Sequence, residues 1–221
     1  MVQVIQVSDL SLHEVKERFQ LQQSWDDRFF PEWQQTLPDL ADREQLRLDQ
    51  IKADFLSLVE FPLHEEVIKL FVLAPILSMA GLARFPFVPV AEKQVEIELE
   101  DGEKTIRGRI DLLILHRQLW GVVIESKAHQ FSVMKALPQA LFYMMSDTVV
   151  EQPIFGLLTN GSEFIVVKLL QQSCLYGLSE LFTLFRRENE LYKVLQVLKH
   201  LRAVAISQRG SSANAAQSSA D

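Results

Sequence analysis

Residues 104–127, KTIRGRIDLLILHRQLWGVVIESK, contain the two strands that decide the fold. Residues 104–115 first alternate polar and apolar side chains and then become continuously apolar, which predicts a strand that enters the core. A short connection over residues 116–119 leads to residues 120–127, a second apolar strand. Because the connection is so short, we expect the two strands to pair as neighbours in one sheet.

Charged residues interrupt both strands where burial is costly. Asp111 lies between Ile110 and Leu112, and Glu125 and Lys127 end the second strand. Side chains two residues apart in a strand share a face, so Glu125 and Lys127 point the same way. Pairing of the strands then places Asp111 beside Glu125. Charged groups in apolar strands need partners or a function.

These charges suit a metal site. Two adjacent carboxylates repel each other unless a cation lies between them. Magnesium prefers oxygen ligands, takes one or two carboxylates, and completes its shell with water and phosphate oxygens. A lysine beside the metal can orient or activate the attacking water. The pattern favours metal-dependent phosphodiester hydrolysis, and the spacing alone leaves open a structural ion pair between Asp111 and Lys127.

The segment before these strands predicts a helix and a strand. Residues 63–79 are apolar on most faces, which predicts a buried helix that Pro75 kinks or breaks and Gly81 ends. Residues 94–100 alternate as a half-exposed strand, and Asp101-Gly102 is a hairpin turn signal.

The segment after them predicts a helix and a hairpin. Residues 132–145 have helical character, and residues 153–159 and 163–170 flank the turn Asn160-Gly161. The order is α-β-β-β-α-β-β. This order predicts an α/β fold with a mixed central sheet flanked by helices.

The two ends of the chain predict further helices. Residues 10–21 begin with the capping-box pair Ser11 and Glu14. Residues 42–60 form an amphipathic helix, and residues 179–206 predict one long helix or two. The apolar stripe of the second of these helices is expected to comprise Leu46, Ile51, Phe55 and Leu58. We expect three parts: an N-terminal helical segment (1–60) packing on the core, a domain with its terminal helix (61–206), and a disordered tail (207–221).

The residues of this core resemble the PD-(D/E)XK nuclease superfamily. More narrowly, they resemble the nuclease domain at the N-terminus of type I restriction enzyme motor subunits, and its stand-alone relatives. The resemblance covers roughly residues 60–170 and implies a restriction-endonuclease-like αβββαβ core, the element order predicted above. Ile110 stands where a proline often precedes the family's aspartate. The matching motifs are Asp111 for the metal-binding aspartate, Glu125-Ser126-Lys127 for E-x-K, residues 139–143 (QALFY) for the Q-x-x-x-Y helix motif of the RecB-like branch, and residues 155–161 (FGLLTNG) for the following strand and turn.

The resemblance implies a role for each motif residue. Asp111, Glu125 and the backbone carbonyl of Ser126 would hold Mg²⁺, or Mn²⁺ in its place, and Lys127 would position the attacking water. The reaction implied is hydrolysis of DNA by an endonuclease domain.

The resemblance also implies a glutamate on the first core helix and a Gln–Tyr pair on the second. Glu65 is favoured over Glu66, and its alternative is an i,i+4 pair with Lys69 worth about 0.3–0.5 kcal/mol. Gln139 and Tyr143 share a helix face and could both point at the site. Their alternative is packing on the sheet, above all for Tyr143.

Other side chains are candidates for contacts with DNA. Arg107 and Arg109 share a strand face and Lys135 lies near a helix start, so each could contact phosphates or be an ordinary solvated charge. Three histidines lack helical ligand spacing, which disfavours them as metal ligands: His64, His116 and His129. An aromatic cluster is either a base-stacking platform or an anchor for the N-terminal segment: Trp25, Phe29, Phe30 and Trp33.

The overall composition limits the class of protein. The chain has 221 residues and a formal net charge of −7, so any DNA contact must use a local patch, a metal or a partner. A single cysteine excludes an internal disulfide. The first ten residues lack a signal sequence, and the longest apolar run is shorter than the roughly 20 residues of a membrane span. We therefore expect a cytoplasmic protein.

Two functional hypotheses follow. The first is a Mg²⁺-dependent deoxyribonuclease acting on DNA. The second is a nuclease-fold binding or assembly module that is silent without a restriction-system helicase or specificity subunit, which the acidic balance favours. Homodimer formation is left open by the sequence.

Overall fold

A mixed sheet with helices on both faces forms the core of the protein. The structure is a computed structural model. The described residues are 3–34, 36–98, 104–116, 119–126, 128–146 and 152–217.

Strands over the described residues join into one sheet. Their bounds are β1 Gln3–Gln6, β2 Gln22–Gln23, β3 Phe87–Glu98, β4 Lys104–His116, β5 Leu119–Ser126, β6 Ile154–Thr159, β7 Glu163–Leu170, β8 Leu175–Leu178 and β9 Phe182–Thr183. The long strand β4 pairs along one edge with antiparallel β3. Its other edge is shared by β1, which is parallel to it, and β5, which is antiparallel. The sheet continues through β6, parallel to β5, to antiparallel β7 and β8, with β2 parallel to β8 and β9 antiparallel to β7.

Helices cover both faces of this sheet. Their bounds are α1 Leu12–Phe19, α2 Pro31–Gln34, α3 Asp42–Leu58, α4 Glu65–Ile68, α5 Ala74–Ala80, α6 Leu137–Met145 and α7 Leu191–Gln217. One core cluster joins α3, α4, α5 and α7 to the sheet, and a second joins α1 and α6 to the other face. In the part of the chain that the structure describes, no helix has both the length and the apolarity of a membrane span. The predicted mixed sheet flanked by helices is confirmed.

Short-range sequence signals predict several element boundaries correctly. Ser11 caps α1: its Oγ accepts from the backbone N–H of Glu14, and the Glu14 carboxylate accepts from the backbone N–H of Ser11. The hairpin of β6 and β7 forms as predicted. Its turn is closed by Asn160, whose side-chain oxygen accepts from the backbone N–H groups of Ser162 and Glu163. These contacts span three residues or fewer, so the local sequence encodes them fully.

Two of the four residues predicted for the apolar stripe of α3 are not buried. Ile51 and Phe55 are buried, but Leu46 and Leu58 are 73% and 41% exposed. Leu48 is fully buried in their stead. Residues 48, 51 and 55 follow the i, i+3, i+7 spacing of one helix face, and the packing of α3 against α7 selects this face rather than the neighbouring one.

The predicted helix over residues 63–79 is one helical run with a change of pitch. Between α4 and α5, one turn of π-helix spans Lys69–Leu73, and the Ala74 N–H donates to the Lys69 carbonyl. The wider turn lies just before Pro75, whose ring conflicts with a regular α-turn. Gly81 ends the run with φ +77°. The prediction that this helix is buried on most faces is wrong for the π-turn, because Leu70 and Phe71 are more than half exposed.

The C-terminal region differs from the predicted helix over residues 179–206. Residues 179–190 contain β9 and turns, and α7 begins only at Leu191. Glu190 stabilises the turns before it, because its carboxylate accepts from the Thr183 N–H (2.7 Å) and from Arg186 (2.7 Å). The composition predicts disorder from residue 207, whereas the helix continues to Gln217. Alanine and glutamine favour this extension, whereas Gly210 and Asn214 are poor helix formers.

The sheet also takes in segments that the sequence pattern missed. β3 begins at Phe87 rather than residue 94, and it tolerates Pro89 because β3 is an edge strand that pairs only with β4 among the described strands. The N-terminal segment contributes β1 and β2 to the sheet as well as helices. These strands have four and two residues, too few to show an alternating pattern.

The aromatic cluster of the N-terminal segment is an anchor at two of its positions. Phe30 is buried, and Phe29 packs closely on Gly177 of β8, where an added Cβ would lie 2.5 Å from the ring. Trp25 is 83% exposed. The side chain of Trp33 lies outside the described residues.

Gly161→Ala is expected to destabilise the fold by about 2–3 kcal/mol. Gly161 has φ +89°, and an added Cβ would lie 2.9 Å from Phe55 and 3.0 Å from Ile68. The substitution therefore strains the hairpin turn and pushes α3 and α4 outward. Urea denaturation measures the change, with Gln172→Ala in an exposed turn as the control. Equal stability of the two variants would contradict this account of the turn.

Candidate functional site

The register of β4 and β5 sets the positions of the two predicted metal-binding carboxylates. Leu112 pairs with Ile124 at this end of the described ladder, and Asp111 and Glu125 are each the next residue along their own strand. On its other side Glu125 pairs with Leu158 of β6. The short connection thus brings residues 111 and 125 to the same end of the β4–β5 ladder, and a direct contact between their carboxylates stays a prediction. The side chains of Glu125 and Ser126, and the whole of Lys127, lie outside the described residues.

Asp111 is held in an ion pair that the sequence did not reveal. Its Oδ1 accepts a hydrogen bond from Lys69 Nζ at 3.1 Å. The side chains are 18% and 27% exposed respectively, so water screens the pair only partly. A carboxylate at this depth is stabilised by the cation beside it. The Asp111 carboxylate therefore favours a cation beside it, whether an ammonium group or a metal ion.

The π-turn positions Lys69 for this contact. Lys69 is its first residue, and its backbone N–H donates to the carbonyls of Glu65 and Glu66. An i,i+4 pair with Glu65 was the alternative for this lysine, but Lys69 reaches across to β4 instead. Forty-two residues separate Lys69 from Asp111, so no local pattern encodes the pair.

Glu65 is better placed than Glu66 to face the site. Glu65 is half-buried as the first residue of α4, and Glu66 is exposed. The backbone N–H of His129 donates to the Leu63 carbonyl at 3.3 Å, which fastens the chain that follows β5 to the chain that precedes α4. The segments before Glu65 and after residue 127 therefore lie side by side.

The Gln–Tyr pair of α6 is divided between surface and core. Tyr143 is fully buried, and an added Cβ on Gly108 of β4 would lie 2.5 Å from its hydroxyl. Gln139 is half-buried one turn earlier. Because a fully buried hydroxyl does not contact a solvent-borne substrate, Tyr143 supports β4 three residues before Asp111.

The predicted phosphate-contacting residues lie at the surface. Arg107 and Arg109 are exposed on β4, and Arg109 has a long contact of 3.5 Å with Glu92. Lys135 is exposed before α6, with Nζ 4.5 Å from the centre of the Phe131 ring. All three side chains extend into solvent, where a polyanion could reach them.

The histidines do not assemble a metal site in the described part of the chain. His64 is the exposed residue before α4. The His129 ring packs edge-on against the Phe55 ring, and the two ring centres lie 5.3 Å apart. The side chain of His116 lies outside the described residues. Where side chains are described, no three His, Cys, Asp or Glu residues cluster to hold a metal ion. This search covers the described side chains alone, so it leaves Glu125 out of account.

The chain matches no protein-family model, and no curated protein matches it at a significant level of similarity.

Proposed function

We propose that the protein is a Mg²⁺-dependent nuclease of the PD-(D/E)XK type, which hydrolyses phosphodiester bonds of DNA and is related to type I restriction nuclease domains. The observation that carries the proposal is the setting of Asp111. It pairs with a lysine from the facing helix, and both it and Glu125 lie one residue beyond the Leu112–Ile124 pair of the β4–β5 ladder. Two carboxylates at one end of a strand pair, with a lysine beside one of them, would suit phosphate chemistry.

The arrangement of elements supports the proposal. The helical run from Glu65 is followed by β3, β4 and β5, then by α6 and β6. Within the sheet, β3, β4 and β5 are antiparallel neighbours and β6 is parallel to β5. This order of elements supports the αβββαβ core that the resemblance implies.

The donor set fits a hard divalent cation. Asp111 and Glu125 would supply carboxylate oxygens, and the backbone carbonyl of Ser126 would supply a third ligand. A bound Mg²⁺ or Mn²⁺ stabilises the negative charge that develops on the phosphate oxygens and lowers the pKa of a bound water.

The chain's own residues would perform the remaining tasks. Lys127 would position the attacking water, and Lys69 lies close enough to Asp111 to attract the scissile phosphate. Glu65 and Gln139, both half-buried, would orient groups at the rim. Exposed basic side chains would hold the DNA backbone: Arg107, Arg109 and Lys135.

Metal binding and cleavage test the proposal together. Mn²⁺ binding is followed by electron paramagnetic resonance, and cleavage is measured on a mixture of single- and double-stranded DNA with Mg²⁺. We expect metal binding and metal-dependent cleavage that EDTA abolishes. A chain that binds neither metal and cuts neither substrate would sink the proposal.

A second candidate is a binding or assembly module with the same fold, and the Lys69–Asp111 pair favours it. An ammonium group already neutralises the carboxylate at this position, as a site that has lost its metal would require. Absence of metal binding together with binding of intact DNA supports this candidate, whereas cleavage by the isolated chain excludes it.

Lys69→Met is expected to tighten Mn²⁺ binding by about tenfold, because it removes a cation that competes with the metal for Asp111. Electron paramagnetic resonance titration measures the affinity. Lys193→Met is the control, since Lys193 lies 3.9 Å from Glu180 in an exposed pair. Weaker Mn²⁺ binding in Lys69→Met than in the control would show that Lys69 does not compete with the metal.

A further inference from the structure

A second basic site lies at the opposite end of the helical run that carries Lys69. The end of α5 and the middle of α7 enclose a cleft of about 440 Å³. Ala80, which lines the cleft, is eleven residues after Lys69 in the same helical run. This places the cleft about 16 Å from Lys69 along the helix axis. Apolar contact surface comes from Pro38 and Met79. The basic residues of the lining are Arg84, Lys199, His200 and Arg202.

One acidic side chain is among the described residues that line the cleft, and it is already neutralised. Glu44 lies 2.6 Å from Lys199 Nζ and accepts from the backbone N–H of Ala41 at 3.0 Å. Burial alone raises the pKa of Glu44, but the hydrogen bonds from Lys199 and Ala41 outweigh it and hold the pKa below its ordinary value. Glu44 therefore stays ionised and satisfies Lys199. Among the described residues that line the cleft, no second carboxylate balances the guanidinium charges of Arg84 and Arg202.

Two buried polar atoms of the lining lack partners. His200 Nε2 and Arg202 Nε are inaccessible to solvent and have no hydrogen-bond partner among the described residues. Packing fixes the Arg202 guanidinium, which lies 5.9 Å from the centre of the Phe87 ring. Its Nε rests on Gly81, where an added Cβ would lie 2.8 Å away. A buried donor without an acceptor is costly, and the packing on Phe87 and Gly81 holds the Arg202 side chain in place despite that cost.

Helix capping accounts for only part of this cluster. Arg84 donates to the Ser78 carbonyl at 3.1 Å, an ordinary use of a cation at the C-terminus of α5. Neither His200 nor Arg202 makes such a contact among the described residues.

We propose that this cleft binds a phosphate group, free or as the monoester of a small molecule. Two guanidinium groups and an imidazole match the several acceptor oxygens of a phosphate, which arginine binds in bidentate geometry. The volume exceeds that of a bare phosphate and lies within the range of small-molecule sites, so the apolar walls can hold an organic group. In a chain of net charge −7 this concentration of positive charge is local.

Isothermal titration calorimetry tests the site on the whole chain in EDTA, so the result does not depend on nuclease activity. The probes are inorganic phosphate, adenosine 5′-monophosphate, adenosine and acetate. We expect phosphate and the monophosphate to bind, and adenosine and acetate not to bind. Tighter binding of the monophosphate than of phosphate identifies a monoester site, and equal affinity identifies a site for free phosphate.

Variants tie the binding to the cleft. Arg84 is exposed. The substitution Arg84→Gln is expected to weaken monophosphate binding at least about tenfold. Arg202→Lys keeps the charge but loses the bidentate geometry, and is expected to weaken it as well. Arg187→Gln, an exposed site elsewhere, is the control, and thermal melting verifies folding. The proposal is overturned if neither phosphate nor the monophosphate binds, if adenosine or acetate binds equally well, or if Arg187→Gln matches the loss in Arg84→Gln.

Discussion

Asp111→Asn is expected to lower the rate of Mg²⁺-dependent DNA cleavage by about 100-fold or more while the fold stays intact. The substitution removes the negative charge that would hold the metal. It preserves the shape of the side chain and an oxygen that can still accept from Lys69, which lies 3.1 Å away. The cleavage rate and Mn²⁺ affinity are measured in parallel, and circular dichroism checks the fold.

Matched variants separate this effect from a general change of charge. Asp39→Asn removes an exposed carboxylate outside the site and is expected to cleave at the wild-type rate. Lys127→Ala tests the E-x-K motif and is expected to abolish cleavage with metal binding retained, because its role is to position water. Full cleavage by Asp111→Asn would rule out the metal site described above.

Lys168→Ala is expected to destabilise the protein by about 3–5 kcal/mol. Lys168 Nζ lies 2.7 Å from the Glu32 carboxylate and 2.9 Å from the Phe29 carbonyl, and the two charged side chains are 6% and 12% exposed. Removing the lysine leaves Glu32 as a buried charge. The same contacts attach the N-terminal segment to β7, so its release should accompany the loss of stability.

A pair of controls distinguishes the unpaired charge from lost packing. The double variant Lys168→Met with Glu32→Leu removes both charges and is expected to recover much of the loss, because an apolar pair of similar volume can replace a buried ion pair. Lys193→Ala, in an exposed pair, is expected to change the free energy of unfolding by less than about 1 kcal/mol. Equal effects of Lys168→Ala and Lys193→Ala in urea denaturation would contradict the buried-pair account.

Local patterns predicted the elements that depend on near neighbours. The capping residues Ser11 and Glu14 marked the start of α1 because their contacts lie three residues apart. The same holds for the turn at Asn160. The short connection between β4 and β5 also sufficed to predict that the two strands pair, since so short a link leaves them few other partners.

Contacts between distant segments escaped the sequence. Lys69 had a plausible local partner in Glu65, and the structure gives it Asp111 instead. Tyr143 belongs to a motif, yet packing on Gly108 buries it. Leu46 fitted the apolar stripe of α3 but faces solvent. In each case two local arrangements have similar free energies, and packing against another element decides between them.

The sequence by itself determined the mixed α/β fold, the order of its core elements and the pairing of β4 with β5. Only the tertiary structure shows that Lys69 pairs with Asp111. Only the tertiary structure shows the basic cleft between α5 and α7, which Arg84 and Arg202 both line. The physical reason is range. Hydrophobic periodicity and turn chemistry act over a few residues, whereas an ion pair or a cleft depends on which distant surfaces the burial of the core brings together.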